Sequence, residues 1–225
     1  MIRLCGWRQM LAGGLLLGLT GCGGPGLTPL QAQYQQSEER ALRYHARGEL
    51  PQALQAFQDS LRWAELADDR PAWVAQALNV GRVAQALGDE PLARQSFQQA
   101  QRTATALGDN AGRLRASLGL AQLALQRGQF EAAHTAFSRT LDDARHQQQD
   151  QPAALAALNG LGLAQIGLGR LPAARQTLAE AETLARSHRD PRLLASTLAN
   201  QGGLAVRTGE TDRAIRYLEE AVILD

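Results

Sequence analysis

Residues 70–109 read RPAWVAQALNVGRVAQALGDEPLARQSFQQAQRTATALGD, and they form one copy of a unit that recurs through most of the chain. An apolar, Ala-rich run from Pro71 to Leu87 is followed by Gly88-Asp89-Glu90 and then by a second run from Pro91 to Leu107. Ala, Leu, Gln and Arg dominate both runs, and these residues lose little freedom on entering a helix. Each run therefore predicts a helix. Gly88 marks the turn between them, since glycine takes the left-handed conformation at a helix end without strain.

Moving outward from this unit, Gly48, Gly88, Gly128, Gly169 and Gly209 are spaced 40, 40, 41 and 40. Five residues after each glycine stands an alanine: Ala53, Ala93, Ala133, Ala174 and Ala214. Nine after each stands a large apolar residue: Phe57, Phe97, Phe137, Leu178 and Leu218. Seven before each stands a small one: Ala41, Gly81, Ala121, Gly162 and Gly202. Asp69, Asp109, Asp150 and Asp190 keep the same period, with Pro71, Pro152 and Pro191 just after three of them. Asp accepts hydrogen bonds from the free amides of a helix start, and Pro is tolerated in the first turn, so a helix begins at each marker. Within the second helix of a unit, the Ala and the large apolar residue are four apart and share one face. The small residue lets two helices approach, and Phe or Leu fills the space beside it.

The pattern resembles the tetratricopeptide repeat family, which carries small residues at the close contact of its first helix, Gly near the turn, and Ala then a large apolar residue in its second. A further Ala of the family register falls at Ala100, Ala181 and Ala221, with Ser60 and Thr140 in its place elsewhere, and the aromatic often seen late in the first helix survives as Tyr44. The family's usual period is 34 residues, and 40 here implies longer helices. The resemblance implies an all-α, right-handed superhelical solenoid of about five helix hairpins. Expected boundaries are about 34–69, 70–109, 110–150, 151–190 and 191–225. Stacked hairpins bury a continuous core, and end copies need polar caps. The last run ends Ala221-Val222-Ile223-Leu224-Asp225 with no solvating cap helix after it. Either the chain is truncated there or that face meets a partner or a second copy.

The first residues read differently. Arg3 and Arg8 form a positive region ahead of an apolar stretch, MLAGGLLLGL from Met10 to Leu19. A bilayer span needs roughly 20 apolar residues, so this stretch is the core of a secretory signal. Leu19-Thr20-Gly21-Cys22 then resembles the lipobox of bacterial lipoproteins. That resemblance implies cleavage after residue 21, lipidation of Cys22 and a membrane anchor of two or more acyl chains. Residues 22–33 are expected to form a flexible tether, because Gly23-Gly24-Pro25-Gly26 resists helix and strand. Gly23 rather than Asp follows the cysteine, which by analogy with Gram-negative sorting favours the outer membrane, facing the periplasm.

Composition narrows the function classes. Hydrophobic residues make up 44% and charged residues 20%, consistent with a packed core. Net charge is +1, all 23 basic residues are Arg, and there is no aromatic-interleaved basic patch, so nucleic acid is not an expected partner. Cys5 and Cys22 are the only cysteines, which leaves the body without disulfide or Cys metal site. His45, His134, His146 and His188 fall at different registers with no metal spacing, and no catalytic constellation or cofactor motif is present. Gln147-Gln148-Gln149 reads as a long turn between units.

By the family resemblance, the first helix of each hairpin lines the concave side. The groove registers then fall on Leu78, Asn79, Arg82 and Gln85, on Arg115, Leu118, Gln122 and Leu125, on Asn159, Leu163 and Ile166, and on Asn200. An Asn in such a groove is suited to hold a peptide backbone, since its amide both donates and accepts. The two-carboxylate clamp of some chaperone-binding relatives is not complete here. The functional expectation is a lipid-anchored periplasmic scaffold that binds a cell-envelope protein or peptide. By the same resemblance, its partners would belong to a pilus or secretion apparatus or to the peptidoglycan machinery. The alternatives are a structural lipoprotein that self-assembles as a homo-oligomer through its last repeat, and an enzyme accessory or small-ligand sensor with a dry pocket between repeats.

Overall fold

The computed structural model describes residues 28–146, 150–188 and 191–224. They form ten α-helices: α1 (Pro29–Ala46), α2 (Leu50–Leu66), α3 (Arg70–Ala86), α4 (Glu90–Leu107), α5 (Asn110–Gln126), α6 (Phe130–His146), α7 (Gln151–Gly167), α8 (Leu171–His188), α9 (Pro191–Arg207) and α10 (Thr211–Leu224). No strand occurs among the described residues. Odd and even helices pair into five hairpins, and the hairpins stack into an all-α solenoid.

The helix starts follow the chemistry of their caps. Asp69 accepts from the Ala72 amide at 3.0 Å, Asp109 from Gly112 at 2.9 Å and Asp150 from Ala153 at 3.0 Å. Asp89 caps α4 in the same way, through Leu92 at 3.1 Å. The hairpin turns close on Gly48, Gly88, Gly128, Gly169 and Gly209, all with φ between 70° and 79°, where a side chain would be strained. Asp190, Gln147-Gln148-Gln149 and Cys22 lie outside the described residues. One boundary differs from expectation: α1 begins at Pro29, inside the segment read as tether. Thr28 and Gln31 form a capping box there, each side chain bonded to the other's backbone amide, and Pro29 occupies the first helical position, where no amide is needed.

Packing follows the repeat. Ala53, Ala93, Ala133, Ala174 and Ala214 are buried, as are Phe57, Phe97, Phe137 and Leu178. Each large side chain of an even helix sits where a neighbouring helix lacks one. A Cβ on Gly81 would come within 2.6 Å of the Phe97 ring, and one on Gly162 within 2.6 Å of Leu178. The ends differ from the middle. On α1, Arg40 and Arg43 are exposed at the registers where α3 buries Val80 and Val83, so this face is a polar cap. On α10, Leu218 is 42% exposed at the register that is closed in the four preceding hairpins.

Curvature comes from unequal spacing. The backbones of the odd helices α3, α5, α7 and α9 touch in succession, whereas those of successive even helices stay farther apart and are bridged by long side chains, as Arg145 to Glu180 and Arg186 to Glu220. The odd helices therefore line the inner, concave side, and the even helices fan out behind them.

Candidate functional site

Three successive inner helices, α3, α5 and α7, enclose an open cleft of about 470 Å³ on the concave side. Small residues make the room: Ala75, Gly119 and Ala156 line it, and the Phe97 and Phe137 rings close its floor from the even helices behind. The cleft brings together Leu78, Asn79, Arg82 and Gln85 from α3 with Arg115, Leu118 and Gln122 from α5, seven of the positions expected from the sequence. Leu125, Asn159, Leu163, Ile166 and Asn200 lie farther along the inner face and outside this cleft. Leu125 packs against the core between α6 and α7, and Ile166 against Ala174, Leu178 and Leu204. Both are partly buried, so packing accounts for much of their surface.

The polar groups of the inner face are not equally free. Asn79 donates to Gln76 Oε1 at 3.1 Å and accepts from the Arg82 guanidinium, so both ends of its amide are occupied. Gln76, fully buried, donates in turn to Glu38 at 2.7 Å and to the Tyr34 hydroxyl at 3.2 Å on α1. Burial raises the pKa of that hydroxyl, with the Gln76 bond acting against it and the nearby Glu38 carboxylate adding to it. Farther along, Asn200 donates to Asn159 at 3.2 Å, and Asn159 to Thr197 at 3.0 Å, a ladder that ties α7 to α9. Gln85 donates to Gln126 at 3.0 Å. The asparagines expected to grip a backbone thus bond to their neighbours first, and Gln122 is the cleft amide with no partner among the described residues.

Charge distinguishes the cleft. It is lined by two guanidinium groups, Arg82 and Arg115, and by no Asp or Glu. Arg82 is exposed, yet partial desolvation by the groove walls, followed by the like charge of Arg115, lowers its pKa below the ordinary arginine value. A wider cleft of about 1130 Å³ opens on the opposite side, between α4, α5 and α6. Part of its charge is spent, with Arg113 paired to Asp143 at 2.8 Å and Glu131 to Arg170 at 2.7 Å, while Arg102 and Arg139 have no carboxylate partner among the described residues. The concave cleft is the stronger site because its lining holds cations without any carboxylate, whereas the outer cleft mixes both signs.

Sequence reasoning did not pick out Gly119, although it shares a register with Gly160, each nine residues before its turn glycine. That period was the available signal. It also did not find the Tyr34–Glu38–Gln76 cluster, which joins residues about forty apart through particular rotamers. Among the described residues, no group of three or more His, Cys, Asp or Glu is placed to hold a metal ion, and no helix is long and apolar enough to cross a membrane.

Comparison with known proteins agrees with this architecture. Residues 73–146 match the tetratricopeptide repeat family model. No curated protein sequence matches the chain. Among solved structures, the chain is similar to a Rap protein complexed with Competence and Sporulation Factor, at a TM-score of 0.77 and 16% identity over 88% of this chain and 55% of that one. It is also similar to aspartyl phosphate phosphatase F from Bacillus subtilis, at 0.71 and 15% identity over 85% of this chain and 50% of that one. A third similar structure holds the nearly identical TPR-like repeats of a Podosopora anserina chain described as a kinesin light chain, at 0.64 and 16% identity over 88% and 97%. The chain thus spans about half the length of the first two structures. Residues 73–146 thus carry tetratricopeptide repeats, and the ten paired helices share the fold of other repeat solenoids of that kind.

Proposed function

We propose that this chain is a lipid-anchored scaffold of the bacterial cell envelope whose concave groove holds a segment of a partner protein. The observation that carries the reading is the cleft itself. It is built by three successive inner helices, has an apolar floor, and offers a few polar groups directed into it, which is the general form of a recognition groove. The fold supports an interaction role, since stacked repeats present an extended concave surface. Leu19-Thr20-Gly21-Cys22 supports the anchor, and Gly23 supports the outer membrane as its location, facing the periplasm. An assembly lipoprotein of a pilus, a secretion apparatus or the peptidoglycan machinery fits this combination.

Blocking the groove tests the reading. Ala75 and Ala156 are exposed on the cleft wall, so Ala75→Trp and Ala156→Trp fill it without entering the core. Crosslinking and pull-down from native membranes should capture a defined envelope protein with the unaltered chain and lose it with either variant. Equal capture by all three would show that the groove is not the binding surface. Cys22→Ser should release the protein from the membrane fraction, and retention there would remove the anchor from the reading.

A second reading, self-pairing through the last hairpin, is favoured by the outer face of α10, where Ile223 is 83% exposed and Ile215, Leu218 and Val222 are also open. Light scattering on the unlipidated chain separates the two, since a monomer at high concentration leaves only the scaffold reading.

A further inference from the structure

The groove is divided chemically along its length. Its α3–α5 part carries Arg82 and Arg115, and neither guanidinium has a carboxylate partner among the described residues, whereas Arg94, Arg145, Arg175 and Arg186 on the even helices are paired. Two like charges held in one cleft without a counter-ion repel each other in the empty protein, and a ligand anion would relieve that repulsion. Gln122, beside them, has an uncommitted amide. Toward α9, two registers of the inner face become apolar beside the Asn159–Asn200 ladder. The register of Arg82 and Gln122, six residues before the turn glycine, is occupied by Leu163 on α7. The register three residues before that glycine passes from Gln85 to Leu125, Ile166 and Val206, the last 63% exposed.

We propose that the occupant of the groove is an acidic peptide segment with apolar residues beside its carboxylates, its acidic part set between Arg82 and Arg115 and its apolar part running over Leu163, Ile166 and Val206. This rests on the groove being the binding surface. Single-stranded nucleic acid fits less well, because the Phe97 and Phe137 rings are buried in the floor and offer no open face for stacking a base. A carboxylate pair supplies the missing charge, and the apolar strip gives direction, since the two halves are not interchangeable.

The test uses the full-length chain in detergent and arrays of short Gly/Ser peptides in which a Glu pair stands at varied distances before or after a Leu pair. Each peptide is matched by a version with Gln in place of Glu. The best Glu peptides should bind at least about tenfold more tightly than their Gln versions, as expected for charge-assisted bonds to guanidinium. The preference should weaken as ionic strength rises past about 0.15 M. It should vanish in the Arg82→Gln, Arg115→Gln double variant, and all groove binding should vanish in Ala156→Trp. If Glu and Gln peptides bind alike, and Ala156→Trp blocks both, the groove stands and the acidic occupant is wrong. If no binding responds to Ala156→Trp, the groove reading fails and takes this inference with it. Displacement of the Glu peptides by lower concentrations of a single-stranded oligonucleotide would overturn the peptide as occupant. Unchanged helicity and melting of each variant guard against trivial loss through unfolding.

Discussion

Phe97 occupies the volume left free by Gly119 on the next inner helix: a Cβ at Gly119 would lie 2.6 Å from Cε1 of the ring. The ring is 1% exposed and also packs over Gly81, so it cannot swing aside. Gly119→Ala gains about 1 kcal/mol of helix propensity, but overpacking a rigid core position costs about 1–3 kcal/mol. The clash should win, giving a net loss on the order of 1 kcal/mol in urea unfolding. Phe97→Leu in the same chain should recover part of it, a coupling that a double-mutant cycle measures. A Gly119→Ala variant as stable as the parent would show that the ring has room to move.

Gln76 fastens the first hairpin to the second. Its amide reaches Glu38 and Tyr34 on α1 and accepts from Asn79 on its own helix, all while fully buried. Gln76→Ala would leave those partners without their bonds, at about 1–3 kcal/mol. Tyr34→Phe removes the acceptor of the Gln76 bond and the hydroxyl's interaction with the Glu38 carboxylate, and should cost about 0.5–3 kcal/mol. Hydrogen exchange should locate the loss in α1, whose amides would open first. Uniform loosening of all ten helices would contradict the local role assigned to this contact.

Acid should loosen the last hairpin before the middle ones. The Arg175 guanidinium, then the Thr208 hydroxyl and Arg213, hold the Glu210 carboxyl at a pKa of about 2, against an ordinary value of 4.5. A depressed carboxylate contributes stability that is complete above its unfolded value and is lost as pH falls through its folded one. The contribution is therefore present at neutral pH and fades between about 4.5 and about 2. Solvent screening keeps it small, because these side chains are partly exposed. Amide exchange in α10, followed across that window, should accelerate in the unaltered chain and show a flatter dependence in Glu210→Gln. Parallel profiles for the two would remove Glu210 from the acid response.

The forty-residue period carried most of the architecture. Gly88 and its counterparts do take the left-handed turn, Asp69, Asp109 and Asp150 do cap helices, and Ala93 and Phe97 do face the core. The family resemblance supplied the registers that face inward, and Leu78, Arg82, Arg115 and Leu118 do line one cleft. It says nothing of what side chains do once they meet. Asn79 looked available to a ligand and instead spans Gln76 and Arg82, because helix spacing and rotamers bring those groups within reach. The start of α1 was legible but outweighed: Thr28-Pro29-Leu30-Gln31 is a capping signature, yet the neighbouring glycines argued for a tether.

The arginine pair should show a conflict between stability and binding. Arg82 and Arg115 repel each other across a cleft with no acid in it, and the walls partly desolvate Arg82. Neither effect helps the empty protein fold. Arg82→Gln should therefore leave the melting temperature unchanged or slightly higher, within about 0.5 kcal/mol, as for a surface substitution that removes no favourable contact other than a hydrogen bond. Added salt should narrow any gain, because screening already weakens the repulsion. The same variant should bind acidic peptides more weakly. A group kept at no benefit to folding, and needed for an anionic ligand, belongs to recognition. If Arg82→Gln instead lowers stability by more than about 1 kcal/mol, its bond to Asn79 matters more than the repulsion, and Arg82 is then a structural residue of the inner face.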